Sequence, residues 1–464
     1  MSRHLYRINH LRWLVTALLC LGVCPTLTLG GWQAGVARVD ITPDQPMWMS
    51  GYASRDHRAE GTHTKLWGKV LVVEDEAQQR IVAITLDLVG IDQRTSNTLR
   101  DKLVQEYHFQ RSGIAIFCSH THCGPVVGSN LLSMYTLGEE DRTLIREYTV
   151  GLVNEISTTV GRAIADLAPA EIGWGQGQTG FAVNRRNNKE LDVPELRRAG
   201  ELKGPVDHDV PVLQISCGNQ IKAIIFGYAC HATTLSFMEW CGDYPGFAME
   251  KVEADFPGTM AMFWAGCGAD QNPLPRRTVE LAQKYGTELG TEVGTVVLSR
   301  IHSITGKLAV QYSEPELGFD KMPTAAEVTA NLTSSNTYEA GRAQALQAEI
   351  AEFGKVKPTY TYPVQTWKIG NGPVWVILGG EVVVDYSLRL KAEIRMEHPD
   401  QPVWVAGYAN DVMAYIPSRR VWQEGGYEGE TSMLYYGRPG KWAMNIEEQI
   451  IETVHRQVQT LLAP

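Results

Sequence analysis

The chain has 464 residues, 44% of them hydrophobic and 20% charged, a balance that excludes a disordered or fibrous protein and allows a large buried core. Its 42 basic residues against 52 acidic ones leave a net charge of −10, with no cluster of Lys and Arg to grip phosphates, so no nucleic-acid partner is expected. Eight cysteines are too few for a disulfide scaffold.

The first 30 residues carry Arg3, Arg7 and Arg12, no acid, and an apolar run over residues 13–23 that is broken by Pro25 and ends in Thr28-Leu29-Gly30. A charged start before a short apolar stretch reads as a secretory signal peptide, which places the mature chain outside the cytoplasm, secreted or in the periplasm or cell envelope, beginning near Gly31. The alternative is an uncleaved N-terminal anchor. Cys20 follows Leu19 and Cys24 follows Val23, neither a small residue, which argues against lipoprotein cleavage. The six cysteines that remain (Cys118, Cys123, Cys217, Cys230, Cys241 and Cys267) are compatible with one or two bridges, whose pairing spacing alone does not reveal.

Beyond the signal, apolar and β-branched runs predict strands over 70–73, 81–86, 113–117, 210–215, 223–228, 260–264, 374–378 and 403–406. Leu144, Tyr148, Leu152, Ile156, Val160, Ile164 and Leu167 recur every three to four residues and make one apolar helical stripe. Further helices are expected near 279–300, 340–353, 381–393 and 446–462. The interleaving predicts an α/β fold with a mixed β-sheet core layered with helices. The polar stretch 185–207 reads as a long loop, either a lid or an insertion. There is no internal repeat and no interdomain linker, so residues 31–464 are expected to form a single catalytic domain.

The densest chemical signal is Ser119-His120-Thr121-His122-Cys123-Gly124-Pro125, directly after the 113–117 strand. Histidines at i and i+2 point the same way along an extended chain, and the Gly-Pro that follows forces a turn. Such a pair suits a metal ion, against the alternative of two hydrogen-bonded structural histidines. His231 repeats the placement after the 223–228 strand, Glu381 follows 374–378 through Gly379-Gly380, and Tyr415 lies in the loop after 403–406. Ligands in open α/β sheets gather outside the carboxyl ends of strands, so four such loops point to one site there. Imidazole and carboxylate suit zinc, and a catalytic zinc keeps one position free for water. The run Ala265-Gly266-Cys267-Gly268-Ala269-Asp270-Gln271-Asn272-Pro273 is either a small-residue loop that lets substrate or metal approach closely or a tight turn capped by Asp270.

Together these segments resemble the neutral/alkaline, non-lysosomal ceramidases. The likeness runs in order from Gly35 to Asp40-Ile41-Thr42-Pro43 and Gly51-Tyr52-Ala53, through His120-Thr121-His122, Asn184-Arg185, His231 and Gly379-Gly380-Glu381. It continues through Ala409-Asn410 before Tyr415 to Tyr427-Glu428-Gly429 and the stretch from Thr431 to Gly437. The resemblance implies one Zn²⁺ per chain, bound by His120, His231, Glu381 and Tyr415, with His122, Arg185 and Tyr427 around the scissile amide. It implies hydrolysis of the N-acyl amide of ceramide or a related N-acyl lipid to a fatty acid and an amine. The partner is then a small-molecule N-acyl or lipid substrate, met through at most transient contact with a membrane surface; no protein partner is evident.

Two departures bear on substrate. Asn272 stands where the family carries a serine, which makes it a candidate substrate-binding residue, and the chain stops where the family continues into an immunoglobulin-like domain. A zinc hydrolase of another N-acyl or ester compound is therefore the alternative within enzymes. Outside enzymes, the alternative is a secreted binding protein of the same fold.

Overall fold

The computed structural model describes residues 31–463; the expected signal peptide lies outside them. In chain order the strands that build the core are β1 (Trp32–Asp40), β2 (Trp67–Glu74), β3 (Arg80–Leu86), β4 (Ile114–Cys118), β5 (Ala168–Gln178), β6 (Ala182–Asn184), β7 (Asp209–Cys217), β8 (Gln220–Tyr228), β9 (Met260–Ala265) and β10 (Gln271–Pro273). They continue with β11 (His302–Ile304), β12 (Leu308–Ser313), β13 (Val364–Ile369), β14 (Val374–Leu378), β15 (Glu381–Val382), β16 (Val403–Ala406) and β17 (Tyr415–Ile416). The helices that cover them are α1 (Gln93–Tyr107), α2 (Glu139–Ala165), α3 (Val193–Ala199), α4 (Asp243–Asp255), α5 (Val279–Ser299), α6 (Thr337–Phe353), α7 (Val384–Glu397), α8 (Arg419–Glu424), α9 (Gly426–Gly429) and α10 (Ile446–Leu462).

A nine-stranded sheet runs β9-β8-β7-β5-β1-β2-β3-β4, with β11 paired to β5; β3 with β4 and β8 with β9 are parallel, and the other pairs antiparallel. A four-stranded sheet, β12-β13-β14-β16, packs on one face of it. The period-2 alternation of a strand assigns each side chain to one face. In β2, Val70 and Val72 join the core shared with the helices, while Leu71 and Val73 join the core between the sheets. That inter-sheet core is filled by Trp264, Trp367, Trp375 and Trp404, with Phe117 stacked on Trp264 at 3.9 Å between ring centroids. α1, α2, α4 and α5 cover the outer face of the large sheet, and α7 and α10 that of the small one. The α/β expectation of a mixed sheet layered with helices is met.

Three expectations need correction. The 381–393 helix begins only at Val384, because Glu381 and Val382 form a short strand. Tyr415 is not in a loop: β15 and β17 pair in parallel, with Glu381 opposite Tyr415. The 185–207 stretch is not wholly a loop, since it contains α3, opened by Pro194 in its first turn and closed by Gly200 in the left-handed conformation. Its polar surface hid the helix, as only Val193 of its seven residues is buried. The six cysteines among the described residues are all free thiols, five buried and Cys217 half-buried.

The two edges of the large sheet are drawn together by the chain leaving β16. Ala406 bridges to Gly266 just past β9, and Ala409 bridges to Phe117 in β4. The carboxyl ends of β4, β8, β9 and β16 therefore open onto one place.

Candidate metal and hydrolytic site

His120 lies two residues beyond β4 and His231 three beyond β8. His120 is not extended, as the His-x-His reading assumed. Its φ of 62° puts it in the left-handed region, uncommon for a non-glycine residue, where its N–H bonds to the Leu88 carbonyl at 2.9 Å. The kink still brings Nε2 of His122 within 3.2 Å of Nε2 of His120. Nε2 of His231 lies 3.1 Å from that same atom. All three imidazoles are buried.

The ring nitrogens on the far side fix the tautomers. Nδ1 of His120 is 2.7 Å from the Val89 carbonyl and Nδ1 of His231 is 3.0 Å from the Gly268 carbonyl, so both must carry their proton there. Both Nε2 atoms then present lone pairs to each other. Oε2 of Glu381 joins them at 3.2 Å from each and has no hydrogen-bond donor. Its Oε1 accepts from the Tyr436 hydroxyl. The Tyr415 hydroxyl is 3.4 Å from Nε2 of His231. Buried acceptors facing one another are unfavourable unless a cation lies among them. Ligand atoms on a tetrahedral zinc, at about 2.0–2.2 Å from the metal, stand roughly 3.3–3.6 Å apart, so this set fits such an ion. The three histidines form a group that could hold a metal ion.

His122 differs from the other two. Its Nδ1 is buried without any partner, whereas metal-binding histidines almost always donate that second N–H to an acceptor. Gly51, at φ 101°, permits the close approach, since a Cβ there would sit 2.3 Å from Nδ1 of His122. The Tyr52 ring lies 4.7 Å away on the same side. Burial, reinforced by His120 and His231, holds the His122 pKa well below the usual imidazole range. Burial and then Arg185 push His231 down to about 4. Both rings are therefore neutral at pH 7.

The opposite wall is built around Arg185. The antiparallel pair β6 and β10 sets Val183 against Asn272, and the Arg185 N–H donates to the Asp270 carbonyl at 2.8 Å. Nε of Arg185 donates to Glu428 Oε1 at 2.8 Å, Nη1 to Asn272 Oδ1 at 3.2 Å and Nη2 to the Tyr415 hydroxyl at 3.1 Å. Arg185 is thus held at all three of its side-chain nitrogens. The Asp270 side chain reaches outside its own turn: its Oδ1 accepts from the Val384 N–H at the start of α7. Tyr427 stands at the rim, 41% exposed, with its ring 5.2 Å from that of Tyr415 and 5.7 Å from the Arg185 guanidinium. The structure thus gathers His120, His122, His231, Arg185, Asn272, Glu381, Tyr415 and Tyr427 around one centre.

Sequence reasoning overlooked three residues that hold these in place. Tyr436 grips Glu381, Glu428 grips Arg185, and Tyr408 lies over His120 with ring centroids 4.3 Å apart. Glu428 and Tyr436 sit inside the Tyr427-Glu428-Gly429 and Thr431-to-Gly437 stretches already marked by the resemblance; Tyr408, beside Ala409-Asn410, carried no signal of its own.

The sequence profile described as neutral/alkaline non-lysosomal ceramidase, N-terminal, matches residues 32–266. The neutral ceramidase of Pseudomonas aeruginosa is 26% identical over 214 residues, covering 44% of this chain and 31% of that protein. That of Mycobacterium tuberculosis is 28% identical over 220 residues, 45% of this chain and 34% of that protein. The rice protein of the same name is 26% identical over 333 residues, covering 70% and 40%. These alignments span between about a third and two fifths of the relatives' own lengths. Among solved structures, the neutral ceramidase from Pseudomonas aeruginosa superposes with a TM-score of 0.71 at 20% identity, over 93% of this chain and 74% of that one.

Proposed function

Since the chain belongs to the neutral/alkaline non-lysosomal ceramidase family, we propose that it is a zinc-dependent amidohydrolase that cleaves the N-acyl amide of ceramide or a related N-acyl lipid. The observation that carries this reading is the meeting of Nε2 of His120, Nε2 of His231 and Oε2 of Glu381 within 3.2 Å of one another, with no proton donor among them. These three, with the Tyr415 oxygen, are the proposed ligands of one zinc per chain. When bound, zinc supplies the Lewis acidity that polarises a carbonyl and lowers the pKa of a water toward 7.

The chain's own residues do the rest. His122, neutral and with Nε2 turned to the centre, accepts the proton of the attacking water and passes it to the leaving amine. Arg185 and Tyr427 face the carbonyl from the opposite wall and stabilise the oxyanion that develops there. Asn272, whose Oδ1 is committed to Arg185, is placed to bind substrate through its amide N–H₂. Burial of the centre keeps bulk water from competing for these contacts. The products are a carboxylic acid and an amine, and residues 31–464 act as one catalytic unit in this reading.

A panel of N-acyl lipids, short N-acyl amides and esters, assayed on metal-stripped and zinc-restored protein, tests the assignment. Zinc-dependent release of fatty acid from N-acylated sphingoid bases is expected. Turnover confined to esters or to non-sphingoid amides would move the chain to another acyl substrate. No zinc-dependent turnover of any member would leave only the binding-protein reading.

A further inference from the structure

We infer that Glu428 is a positioning residue that aims the Arg185 guanidinium and seats Tyr427 beside it; the inference rests on the oxyanion role proposed for those two groups. An arginine side chain offers three hydrogen-bonding edges in a fixed plane, so fixing one edge fixes the direction of the other two. Glu428 takes the Nε edge at 2.8 Å, and the two Nη atoms are left for Asn272 and Tyr415. Among the described residues, Glu428 is the carboxylate paired with Arg185.

The carboxylate is itself held from behind. Its Oε2 accepts from Nη1 of Arg186 at 2.5 Å, and Nη2 of Arg186 donates to Glu424 Oε2 at 2.9 Å and to the Gly425 carbonyl at 3.0 Å. Neighbouring arginines thus grip the two oxygens of one carboxylate whose side chain is 5% exposed. Gly425 and Gly426, at φ 66° and 78°, let the chain reverse between α8 and α9 in a way that residues with a Cβ rarely adopt. The reversal delivers Tyr427 and Glu428 on successive positions of α9, so the contact that orients Arg185 also fixes the helix that carries Tyr427. A carboxylate placed only to tie down a surface helix would need no second arginine aimed at the reacting centre.

Glu428→Gln keeps the shape of the side chain but replaces one acceptor oxygen with an N–H₂ that faces an arginine. Expected are retained zinc, an unchanged circular-dichroism spectrum, a KM within about threefold of wild type and a kcat lower by about 10- to 100-fold. Glu428→Asp, which keeps the charge, should recover part of that loss. In the Arg185→Ala background, Glu428→Gln should cost almost nothing further, because the two residues act as one unit. A readout independent of turnover is the Arg185 Nε–H resonance in ¹⁵N-arginine-labelled protein, assigned by its absence in Arg185→Ala and expected to be lost or shifted in Glu428→Gln. An unchanged resonance, a wild-type kcat in Glu428→Gln, or losses that multiply in the double variant would overturn the inference. If instead the wild-type protein turns over no member of the substrate panel while the resonance responds as expected, the hydrolase reading fails and the positioning of Arg185 stands.

Discussion

His120 and His231 are held by main-chain carbonyls within three residues of strands in the large sheet, whereas Arg185 and Tyr427 are held by side chains on short segments outside it. The first wall inherits its geometry from the packed core. Moving Val89 or Gly268 would mean moving β3 or the exit of β9, and dense interiors resist that. The second wall depends on ion pairs and a four-residue helix, so a single side-chain change can alter its aim while the sheet stays intact. The contrast teaches that metal binding and turnover should be separable by mutation, with each wall failing in its own way.

The largest effect should come from the first wall. His231→Ala or His120→Ala should abolish both zinc retention and turnover, since each removes a donor from a closed set. Elemental analysis checks this, and full zinc occupancy in both variants would refute the ligand assignment. His122→Ala should keep its zinc and lose activity; zinc loss there would make His122 a ligand.

On the second wall, Arg185→Ala should retain zinc and fold while kcat falls by about a hundred- to a thousandfold, with KM changed much less. Steady-state kinetics on whichever N-acyl substrate proves active decide it. A wild-type kcat would remove Arg185 from the mechanism and with it the functional contrast between the walls.

Gly51→Ala sharpens the comparison from the packing side. The added Cβ would fall 2.3 Å from Nδ1 of His122, at a backbone φ of 101° that alanine avoids. A destabilisation of about 1–3 kcal/mol is expected, with a lower kcat and unchanged zinc. Thermal unfolding alongside metal analysis tests this; a variant as stable and active as wild type would show that His122 has room to shift.

The smallest expected effect is one of pH. Burial alone would raise the Glu428 pKa, but Arg185, a backbone hydrogen bond and Arg186 together outweigh it and hold the carboxyl below its ordinary value. A group depressed in the folded state stabilises the fold at pH above its unfolded pKa of about 4.3, and that contribution disappears as pH falls through the folded value. The stability difference between wild type and Glu428→Gln should therefore be largest near pH 7, on the order of 1 kcal/mol, and shrink progressively as the pH falls below about 4.3. Melting temperatures across that range would show it. A difference that grows on acidification would mean that the carboxyl is not ionised against the arginines.

The sequence made the first wall more legible than the second. Strand 223–228 followed by Cys230-His231 could be read directly, because the residue that matters adjoins the hydrophobic run that positions it. The eight expected strands all exist, but the expectations lack β1, β5 and β11 of the large sheet and β12 and β13 of the small one. β5 carries Gly173, Gly175 and Gly177 in place of a β-branched run. Glu381 was assigned to a helix because the two-residue β15 is shorter than any periodic signal. Arg185 opens a polar stretch and carries no local sign of burial, since its partners Asn272, Tyr415 and Glu428 lie 87, 230 and 243 positions later. Local pattern reports what neighbouring residues do together, and the second wall is made almost wholly of distant partners.

The pairing of β15 with β17 bears on how this chain can vary. Glu381 and Tyr415 are register partners in a ladder of two residue pairs, so the register of the strand that carries Tyr415 is fixed by the pairing itself. Substitutions within 383–414 leave that register alone. A one-residue insertion or deletion between Asn410 and Tyr415 would slide Ala414 or Ile416 opposite Glu381 and turn the phenol to the other side of the strand. Length variation in this protein is therefore admissible at the far ends of α6 and α7 and excluded on the approach to Tyr415, even though both are connecting segments by composition.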